Sequence, residues 1–332
     1  MAGRVQVIAV QVIAAWLTAL PMLVVANDAG AQTNYPTRPV RMLVGFAPAG
    51  PADMIARIVG DKLSEAWGQP VLIENATGAG ANVAADRTVK AGPDGYTLLM
   101  ASNAQIVVNP SLYERMPFDP AKDLMTISQS VFTPNLLVVH NDVPAKTVQE
   151  LVAYARTQPG KLTYASAGTG TTQHLAAELF KMHAKVDLVH NPFKGATAVL
   201  PDLVAGRIDM FIGAINSLLP LIENGELRAL ASSGNRRIKS MPELPTMADA
   251  GLPEVDINSG VGLVAPAKTP ADIVQTLYKE IAAITAEKGY HERMDRIGVE
   301  VVSWTPEQYA TFLRDDFAKW ATVVKAAGIV PQ

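Results

Sequence analysis

Cysteine is absent from all 332 residues, which excludes a disulfide framework, a zinc ribbon, an iron–sulfur cluster and a thiol nucleophile. Charge is also scarce: 18% of residues are charged, and 28 basic against 31 acidic side chains give a formal charge of −3. A chain without a basic excess lacks the electrostatic footprint of a nucleic-acid-binding protein. Apolar residues make up 49% of the chain, which is enough for sizeable cores, and the length predicts about two domains.

Common enzyme and cofactor motifs are missing as well. The chain contains no Gly-x4-Gly-Lys-Ser/Thr phosphate loop, no Gly-x-Ser-x-Gly elbow, no Ser-x-x-Lys and no His-Glu-x-x-His. Gly168 and Gly170 begin a partial dinucleotide fingerprint, but Gln173 stands where its third glycine belongs. His174 and His183 are nine residues apart, which is a poor spacing for a metal site. We therefore expect no cofactor and no metal.

The amino-terminal segment, residues 1–31, has the organisation of a secretory signal peptide. Arg4 is followed by an apolar stretch over residues 5–26, and Ala29-Gly30-Ala31 matches the small-x-small pattern for cleavage. An uncleaved membrane anchor is the alternative, because the stretch is near the ~20 residues that a span requires. Pro21 and the Ala-x-Ala pattern favour cleavage near Ala31. The sequence thus predicts export to the periplasm and a soluble mature protein.

The remainder alternates short apolar runs with segments of helical periodicity. This alternation is typical of α/β domains with parallel sheets. The predicted helices at the carboxyl end are too few to form a third domain, so we expect them to pack against the first domain. The predicted strands are 39–46, 71–74, 96–102, 135–140, 162–166, 186–190, 207–213, 227–232 and 260–265. The main predicted helices are 52–67, 80–91, 147–157, 270–286, 288–297 and 306–327, with others beginning near residues 171 and 195.

The first of two candidate binding loops, Gly45–Asp53, lies between a predicted strand and helix. Gly50 suits the N-cap position and Pro51 the first helical position, where the missing N–H of proline costs nothing. In one interpretation Asp53 bonds the free amides of the first turn and simply caps the helix. In the other, the exposed amides at this helix start receive an anion.

The second candidate loop, Ser166–His174, has the same placement. Its glycines allow a ligand to approach the backbone, and its threonines supply hydroxyl donors beside a helix start. A threonine-capped helix with a glycine turn is the structural alternative. His174 lies within one turn of the helix start, where it could donate to an anion or cap the turn. Ser166 and His174 could also form a nucleophile–base pair, although no third group is apparent.

Motifs in these loops and along the chain resemble those of the receptors of tripartite tricarboxylate transporters, the Bug-type periplasmic receptors. The similarity extends from Tyr35 to about Gly328. The stretches that carry it are Tyr35–Arg41, Phe46–Asp53, Gly78–Gly80, Pro93–Leu98, Asn109–Tyr113, Val143–Thr147, Pro159–Gly168, His174-Leu175, Phe193–Gly195, Leu227–Leu230 and Pro242–Gly251. So many motifs in one order are more specific than either loop alone.

The resemblance implies a type II, Venus-flytrap fold with two α/β domains joined by a two-strand crossover. Domain 1 would comprise residues 32–131 and 254–332, and domain 2 residues 132–253. It implies a monomeric, non-enzymatic solute-binding protein that closes on a small carboxylated ligand and delivers it to membrane transporter subunits. In this family the carboxylate is held by backbone amides, hydroxyls and water rather than by an arginine, and neither candidate loop contains Lys or Arg.

The resemblance and the loop chemistry together predict the ligand-binding residues. Ser102, Asn103 and Asn216 are added because they follow strands, and α/β sheets bind ligands at the carboxyl ends of their strands. The full set is Phe46, Ala47, Pro48, Ala49, Gly50, Asp53, Ser102, Asn103, Ala167, Gly168, Thr169, Thr171, Thr172, His174 and Asn216.

Three departures from the family pattern affect the expected ligand. Ala49 stands where a second glycine is usual, Pro51 removes an amide donor, and residues 211–215 are more apolar than in the usual version. We expect these changes to favour a ligand with an apolar or aromatic part. Two other functions fit the same sequence: a periplasmic sensory module that docks a signalling receptor, and a periplasmic hydrolase that uses His174.

Overall fold

The computed structural model describes residues 35–331, except residues 49, 235, 258 and 297. The predicted signal peptide lies outside the described residues. Strands and helices alternate through most of the described chain. The strands are β1 (Val40–Val44), β2 (Val71–Asn75), β3 (Thr97–Ser102), β4 (Leu124–Thr133), β5 (Asn135–His140), β6 (Thr163–Ser166), β7 (Val189–Pro192), β8 (Met210–Ala214), β9 (Leu227–Ser232), β10 (Ser259–Pro266) and β11 (Glu300–Val301). The helices are α1 (Pro51–Trp67), α2 (Asn82–Lys90), α3 (Asn103–Val107), α4 (Asn109–Leu112), α5 (Pro120–Asp123), α6 (Val148–Thr157), α7 (Thr172–Ala184), α8 (Ala196–Val204), α9 (Ile215–Glu223), α10 (Ala271–Ala286), α11 (Lys288–Asp295) and α12 (Pro306–Ala326).

The strands form two sheets, one in each lobe. The first sheet has the order β11-β4-β10-β3-β1-β2, and the second has the order β7-β6-β8-β5-β9. The expected parallel pairing is found between β1 and its neighbours β2 and β3 and between β6 and its neighbours β7 and β8, but other pairs are antiparallel. In the first sheet β10 is antiparallel to both β3 and β4, and in the second β5 is antiparallel to both β8 and β9. Both sheets are therefore mixed.

Strands β5 and β10 each follow a crossing between the sheets, and each is antiparallel to both of its neighbours. Only Pro134 separates β4 in the first sheet from β5 in the second, and β10 follows β9 through an irregular segment without a described helix. Two strands that follow each other along the chain can run parallel only when a crossover connection, usually a helix, lies between them. Neither crossing contains such a helix among the described residues. The two-strand crossover of the predicted fold thus accounts for the mixed sheets. The predicted domain division at 131/132 falls within β4, and the domain limits stay a prediction.

Strand β4 has no counterpart in the sequence-based prediction. Ser128, Gln129 and Ser130 interrupt its apolar run, yet all three are buried. The hydroxyl of Ser128 donates to the carbonyl of Trp304 over 2.8 Å, and the Gln129 amide donates to the carbonyl of Val131 over 3.1 Å. Because these polar groups are satisfied inside the protein, the strand tolerates them where a periodicity analysis reads a loop.

Both sheets are covered on both faces, as expected of buried α/β sheets. Met42 and Leu43, neighbours on β1, belong to different cores on opposite faces, and the same is true of Leu136 and Leu137 on β5. One core includes Leu43 of the first sheet and Leu137 of the second. The two lobes therefore share apolar packing near the crossover.

The carboxyl-terminal helices pack against the first sheet. Helices α10 and α12 contact β4, while α12 also contacts α3, α4 and α7. Since α7 belongs to the second lobe, α12 touches both lobes. Within the residues that the structure describes, no helix is both long and apolar enough to cross a bilayer.

Candidate functional site

A cavity of about 900 Å³ lies between the two lobes. Its walls come from the loops and helix starts that follow β1, β3, β6 and β8, from the beginning of β10, and from residues 327–330 after α12. The loops at the carboxyl ends of strands in both sheets thus meet at one site, which is where α/β proteins bind ligands.

Most of the predicted ligand-binding residues line this cavity. They are Phe46, Ala47, Pro48, Gly50, Ser102, Thr169, Thr171, Thr172, His174 and Asn216. Ala49 lies outside the described residues. Asp53, Asn103, Ala167 and Gly168 are not part of the cavity wall. The two candidate loops therefore lie on the same cavity, while several of the nominated side chains stand behind it.

Asp53 has a structural position beneath the first loop. Its side chain is 1% exposed, and Arg57 donates to both of its oxygens over 2.9 and 3.0 Å. The amide nitrogen of Asn75 donates to Asp53 Oδ1 over 2.8 Å and to the carbonyl of Phe46 over 2.9 Å. The hydrogen bond with Asp53 raises the pKa of Arg57. Asp53 thus connects α1 to β2 and, through Asn75, holds the cavity loop at Phe46.

Asn103 likewise lies behind the wall. It is 1% exposed, donates to Gln129 Oε1 over 3.2 Å and accepts the Tyr309 hydroxyl over 3.0 Å. These bonds tie the end of β3 to β4 and to α12. Because these bonds connect Asn103 to several elements of the fold, Asn103 supports the cavity wall from behind.

Three helices begin at the cavity without side-chain caps. Gly50 is the N-cap residue of α1 with Pro51 next to it, as predicted, and no side chain bonds the first turn from the cap. The N-caps of α7 and α9, Thr171 and Ala214, also supply no side-chain hydrogen bond. The threonine-capping alternative for the second loop is therefore wrong for Thr171. Its hydroxyl donates instead to the Gly168 carbonyl over 2.7 Å.

His174 forms one end of an aromatic stack on the second-lobe wall, with His190 in the middle and Tyr164 at the other end. The His174 and His190 rings stack with 4.0 Å between centroids, and the Tyr164 ring stacks on His190 at 4.9 Å. The amide of Gly170 donates to His174 Nδ1 over 3.1 Å. Burial first, and the neighbouring His190 second, lower the pKa of His174 to about 4, and burial also lowers the pKa of His190. A neutral His174 that accepts at Nδ1 carries its proton on Nε2, so it can act as a hydrogen-bond donor.

Ser166 and His174 do not form the nucleophile–base pair considered from the sequence. The Ser166 side chain is fully buried, and its Oγ pairs with His190 Nε2 over 2.7 Å. Ser166 is also absent from the cavity wall. The hydroxyl is therefore engaged behind the stack, where a substrate in the cavity does not meet it.

The sequence analysis missed part of the wall contributed by the first lobe. Gln105, Asn109, Leu112 and Tyr113 line the cavity, as do residues 327–330. The stretch 109–113 contributes to the family resemblance, but no chemical feature in it predicts a place at the site. The apolar stretch 211–215 contributes only Ala214 to the wall, because Phe211, Ile212 and Ile215 are buried in the cores.

The cavity wall is electrically neutral in its side chains. No Asp, Glu, Lys or Arg lines it within the described residues, and the same part of the chain holds no cluster of side chains suited to a metal ion. The wall contains apolar side chains, such as those of Phe46, Val108 and Leu112, together with hydroxyl and amide side chains, such as those of Thr172 and Gln105. Within the described wall, the groups that can attract an anion are therefore the peptide N–H groups and the hydroxyl and amide donors of the side chains.

A two-lobed α/β fold with a neutral interlobe cavity, bordered by uncapped helix starts, defines a solute-binding receptor of the periplasmic binding protein class. The pattern of the "Tripartite tricarboxylate transporter family receptor" matches residues 55–329, and the chain belongs to this family. The predicted family and fold class are thus confirmed.

Relatives with similar length support the assignment. Protein BugT of Bordetella pertussis is 33% identical over 305 residues, covering 92% of this chain and 93% of BugT. The structure of R. palustris Rpa4515 with adipate is 35% identical, has a TM-score of 0.76, and covers 90% of this chain and 100% of its own. The structure of MatC (Rpa3494) from Rhodopseudomonas palustris with bound malate is 29% identical, has a TM-score of 0.72, and covers 87% of this chain and 100% of its own.

Proposed function

We propose that this receptor captures a small organic carboxylate in the interlobe cavity and delivers it to the membrane subunits of a tripartite tricarboxylate transporter. The observation that carries the proposal is the arrangement of α1, α7 and α9, which begin at a cavity without charged side chains in its described wall. Each helix start carries roughly half a positive charge and presents unpaired amides. Such sites accept anions without a cationic side chain.

The hydroxyl groups of the second loop complete this anion site. Thr172 lines the cavity at the first position of α7, and Thr169 lies just before the helix. Amide and hydroxyl donors directed at a carboxylate form charge-assisted hydrogen bonds, which are about twice as strong as neutral ones. Closure of the two lobes excludes water and strengthens them further. The binding mechanism is therefore hinge closure around the anion.

Two related structures make a dicarboxylate the first ligand to test. One relative is described with adipate and another with bound malate. Phe46, Val108 and Leu112 offer apolar surface for the carbon chain of such a ligand. The proposed ligand is thus a carboxylate with an apolar portion, in agreement with the ligand class expected from the sequence.

A periplasmic location belongs to the same proposal. Two similar structures are described as a periplasmic transporter and as the periplasmic binding protein BugD. The signal-like segment at residues 1–31 and its Ala29–Ala31 cleavage pattern support export with removal of that segment. Sequencing the amino terminus of the exported protein tests this: cleavage near Ala31 is expected, and a chain that starts at Met1 would contradict it.

The test of ligand binding is a thermal-shift screen of the mature protein, followed by calorimetry. Adipate, malate and aromatic acids are compared with their uncharged amides. A carboxylate at about 100 times its dissociation constant should stabilise the protein by about 2.7 kcal/mol, whereas the amides should not. Equal stabilisation by acid and amide, or none by any carboxylate, would contradict the proposal.

Two further experiments address the alternative functions. Ester turnover that disappears in His174→Ala would support the hydrolase alternative. Loss of gene induction without loss of uptake in a deletion strain would support the sensory alternative.

A further inference from the structure

Gln105 occupies an unusual position in the first-lobe wall. It lines the cavity from α3, yet only 2% of its surface is exposed. Its Nε2 donates to the carbonyl of Ala81 over 2.9 Å. This bond fixes the orientation of the side-chain amide, because the reversed orientation would bring two oxygens together. The other end of the amide, Oε1, is thereby held as a hydrogen-bond acceptor.

The Oε1 atom of Gln105 is buried and accepts no hydrogen bond within the described residues. Buried acceptors without a partner are rare because they lose their hydration and gain nothing in return. Here the unpaired acceptor belongs to a residue of the cavity wall. A ligand that brings a donor to this oxygen removes the penalty, whereas a ligand that brings another oxygen does not.

Asn109 repeats the arrangement one helical turn further along the chain. Its Nδ2 donates to the carbonyl of Gly80 over 2.8 Å and to Asn82 Oδ1 over 2.7 Å. The side-chain nitrogens of Gln105 and Asn109 are therefore both hydrogen-bonded to the turn at residues 80–82. Neither bond of Asn109 uses its amide oxygen. The first lobe thus contributes acceptors where the helix starts contribute donors.

We propose that Gln105, assisted by Asn109, selects ligands that carry a hydroxyl group on the carbon chain between or beside their carboxylates. This inference rests on the proposed function, since it concerns the second part of a ligand whose carboxylate is held at the helix starts. A hydroxyl is a neutral donor and suits two neutral acceptors. An ammonium group is also a donor, but the positive ends of α1, α7 and α9 disfavour a cation in the same cavity.

The experiment compares matched ligands by calorimetry on the full mature protein. The four-carbon set is succinate, malate and aspartate, and the six-carbon set is adipate, 2-hydroxyadipate and 2-aminoadipate. Within the set that binds, we expect the hydroxylated member to bind about threefold to tenfold more tightly than the unsubstituted one, which corresponds to one net hydrogen bond. Tighter binding of the unsubstituted or the amino member would overturn the inference.

The variant Gln105→Met keeps the length of the side chain and removes the acceptor. It should bring the affinity ratio between hydroxylated and unsubstituted ligand close to one, mainly by weakening the hydroxylated ligand. Gln149→Met is the matched control, because Gln149 also donates to a backbone carbonyl, that of Ala250 over 2.9 Å, but lies outside the cavity. That control should keep the wild-type ratio.

The outcomes separate the two proposals. If a carboxylate binds and the ratio is the same in wild type and Gln105→Met, the role of Gln105 is wrong and the receptor function stands. If no carboxylate of either set or of the wider screen binds, the proposed function fails and this inference fails with it. Should Gln105→Met not fold, the wild-type ratio still decides, because equal affinities for malate and succinate, or for the six-carbon pair, contradict the selection of a hydroxyl.

Discussion

His174 and His190 stack with a centroid distance of 4.0 Å and an angle of 12° between their planes. Two imidazoles this close cannot both be protonated without repulsion, and the stack is buried besides. Glu178 and Lys181 are the charged groups that act on both rings, with opposite effects on their pKa values, and burial outweighs them. The stack therefore keeps a neutral ring on the cavity wall.

The stack makes the ligand-free protein sensitive to acid. The pKa of His174 is lowered from 6.5 to about 4 in the folded state, so between these values the unfolded chain binds more protons than the folded protein. The contribution of neutral His174 to the free energy of unfolding is thus complete above pH 6.5, and it is lost progressively as the pH falls through the folded pKa near 4. We expect His174→Gln to show a flatter dependence of melting temperature on pH over this range than wild type. His291→Gln, a substitution on α11 outside the cavity wall, should follow wild type, and parallel curves for all three proteins would contradict the role of His174.

Thr172 and Thr171 should respond differently to the same substitution. The Thr172 hydroxyl lines the cavity and has no hydrogen-bond partner within the described chain, so Thr172→Val should leave the melting temperature of the free protein unchanged. Its affinity for the carboxylate should fall by about tenfold, the equivalent of one charge-assisted bond. Thr171→Val removes the bond to the Gly168 carbonyl, so it should also lower the melting temperature. Calorimetry and thermal melts on both variants check this, and unchanged affinity in Thr172→Val would contradict a direct contact.

Asp53 should affect binding only through the structure of its loop. Asp53→Ala removes a buried carboxylate that accepts from Arg57 and Asn75, and it should destabilise the free protein by about 2 kcal/mol. Binding should weaken as well, because Asn75 also holds the carbonyl of Phe46. Glu292→Ala is the control: Glu292 pairs with Lys288 on the surface of α11, and such exposed pairs contribute little. Weaker binding in Asp53→Ala with an unchanged melting temperature would instead indicate that Asp53 touches the ligand.

Gly170 and Leu112 bring the two lobes into close approach. Gly170 has a φ of 80°, and a Cβ placed on it would lie 3.3 Å from Leu112 Cδ1. Gly170→Ala should therefore weaken ligand binding by about fivefold or more, since the added methyl group opposes closure of the lobes. Gly225→Ala is a matched control with a φ of 73° and open space around the added group. Both variants should lose some stability from left-handed backbone strain, but only Gly170→Ala should lose affinity. Equal affinity losses in the two variants would contradict a role in closure.

Much of the fold is predictable because apolar periodicity and turn residues agree along the chain. The predicted strands 135–140 and 227–232 coincide with β5 and β9, and the predicted helix 306–327 exceeds α12 by one residue. The limits of β7 and β8 were less accurate, since both strands begin three residues later than predicted. Periodicity identifies the existence of such elements better than their ends.

The direction of β5 and β10 follows from which lobe the chain comes from, and local periodicity does not contain that information. The missed strand β4 has a different cause, because its buried polar residues find partners only in the tertiary structure.

The candidate site could likewise be predicted where neighbouring residues determine it, and not where it depends on contacts distant in the sequence. Glycine, proline and threonine identify the two loops because their roles at helix starts depend on neighbouring residues alone. Gln105 has no such local signal: its importance depends on the Ala81 carbonyl, 24 residues away in the sequence. Asp53 was nominated for the right loop but lies behind the wall, because Arg57 and Asn75 draw its carboxylate inward.

The segment after α12 has a practical consequence. A turn at Gly328, with bonds from Gly328 to Lys325 and from Ile329 to Val324, directs Ile329 and Val330 along the cavity wall. Val330 is 77% exposed. An affinity tag inserted directly after Val330 would therefore begin at the cavity wall and obstruct the entry of the solute. A tag fused to the amino-terminal side of Tyr35 avoids this wall, because Tyr35 packs against Trp67 and Tyr96 and does not line the cavity.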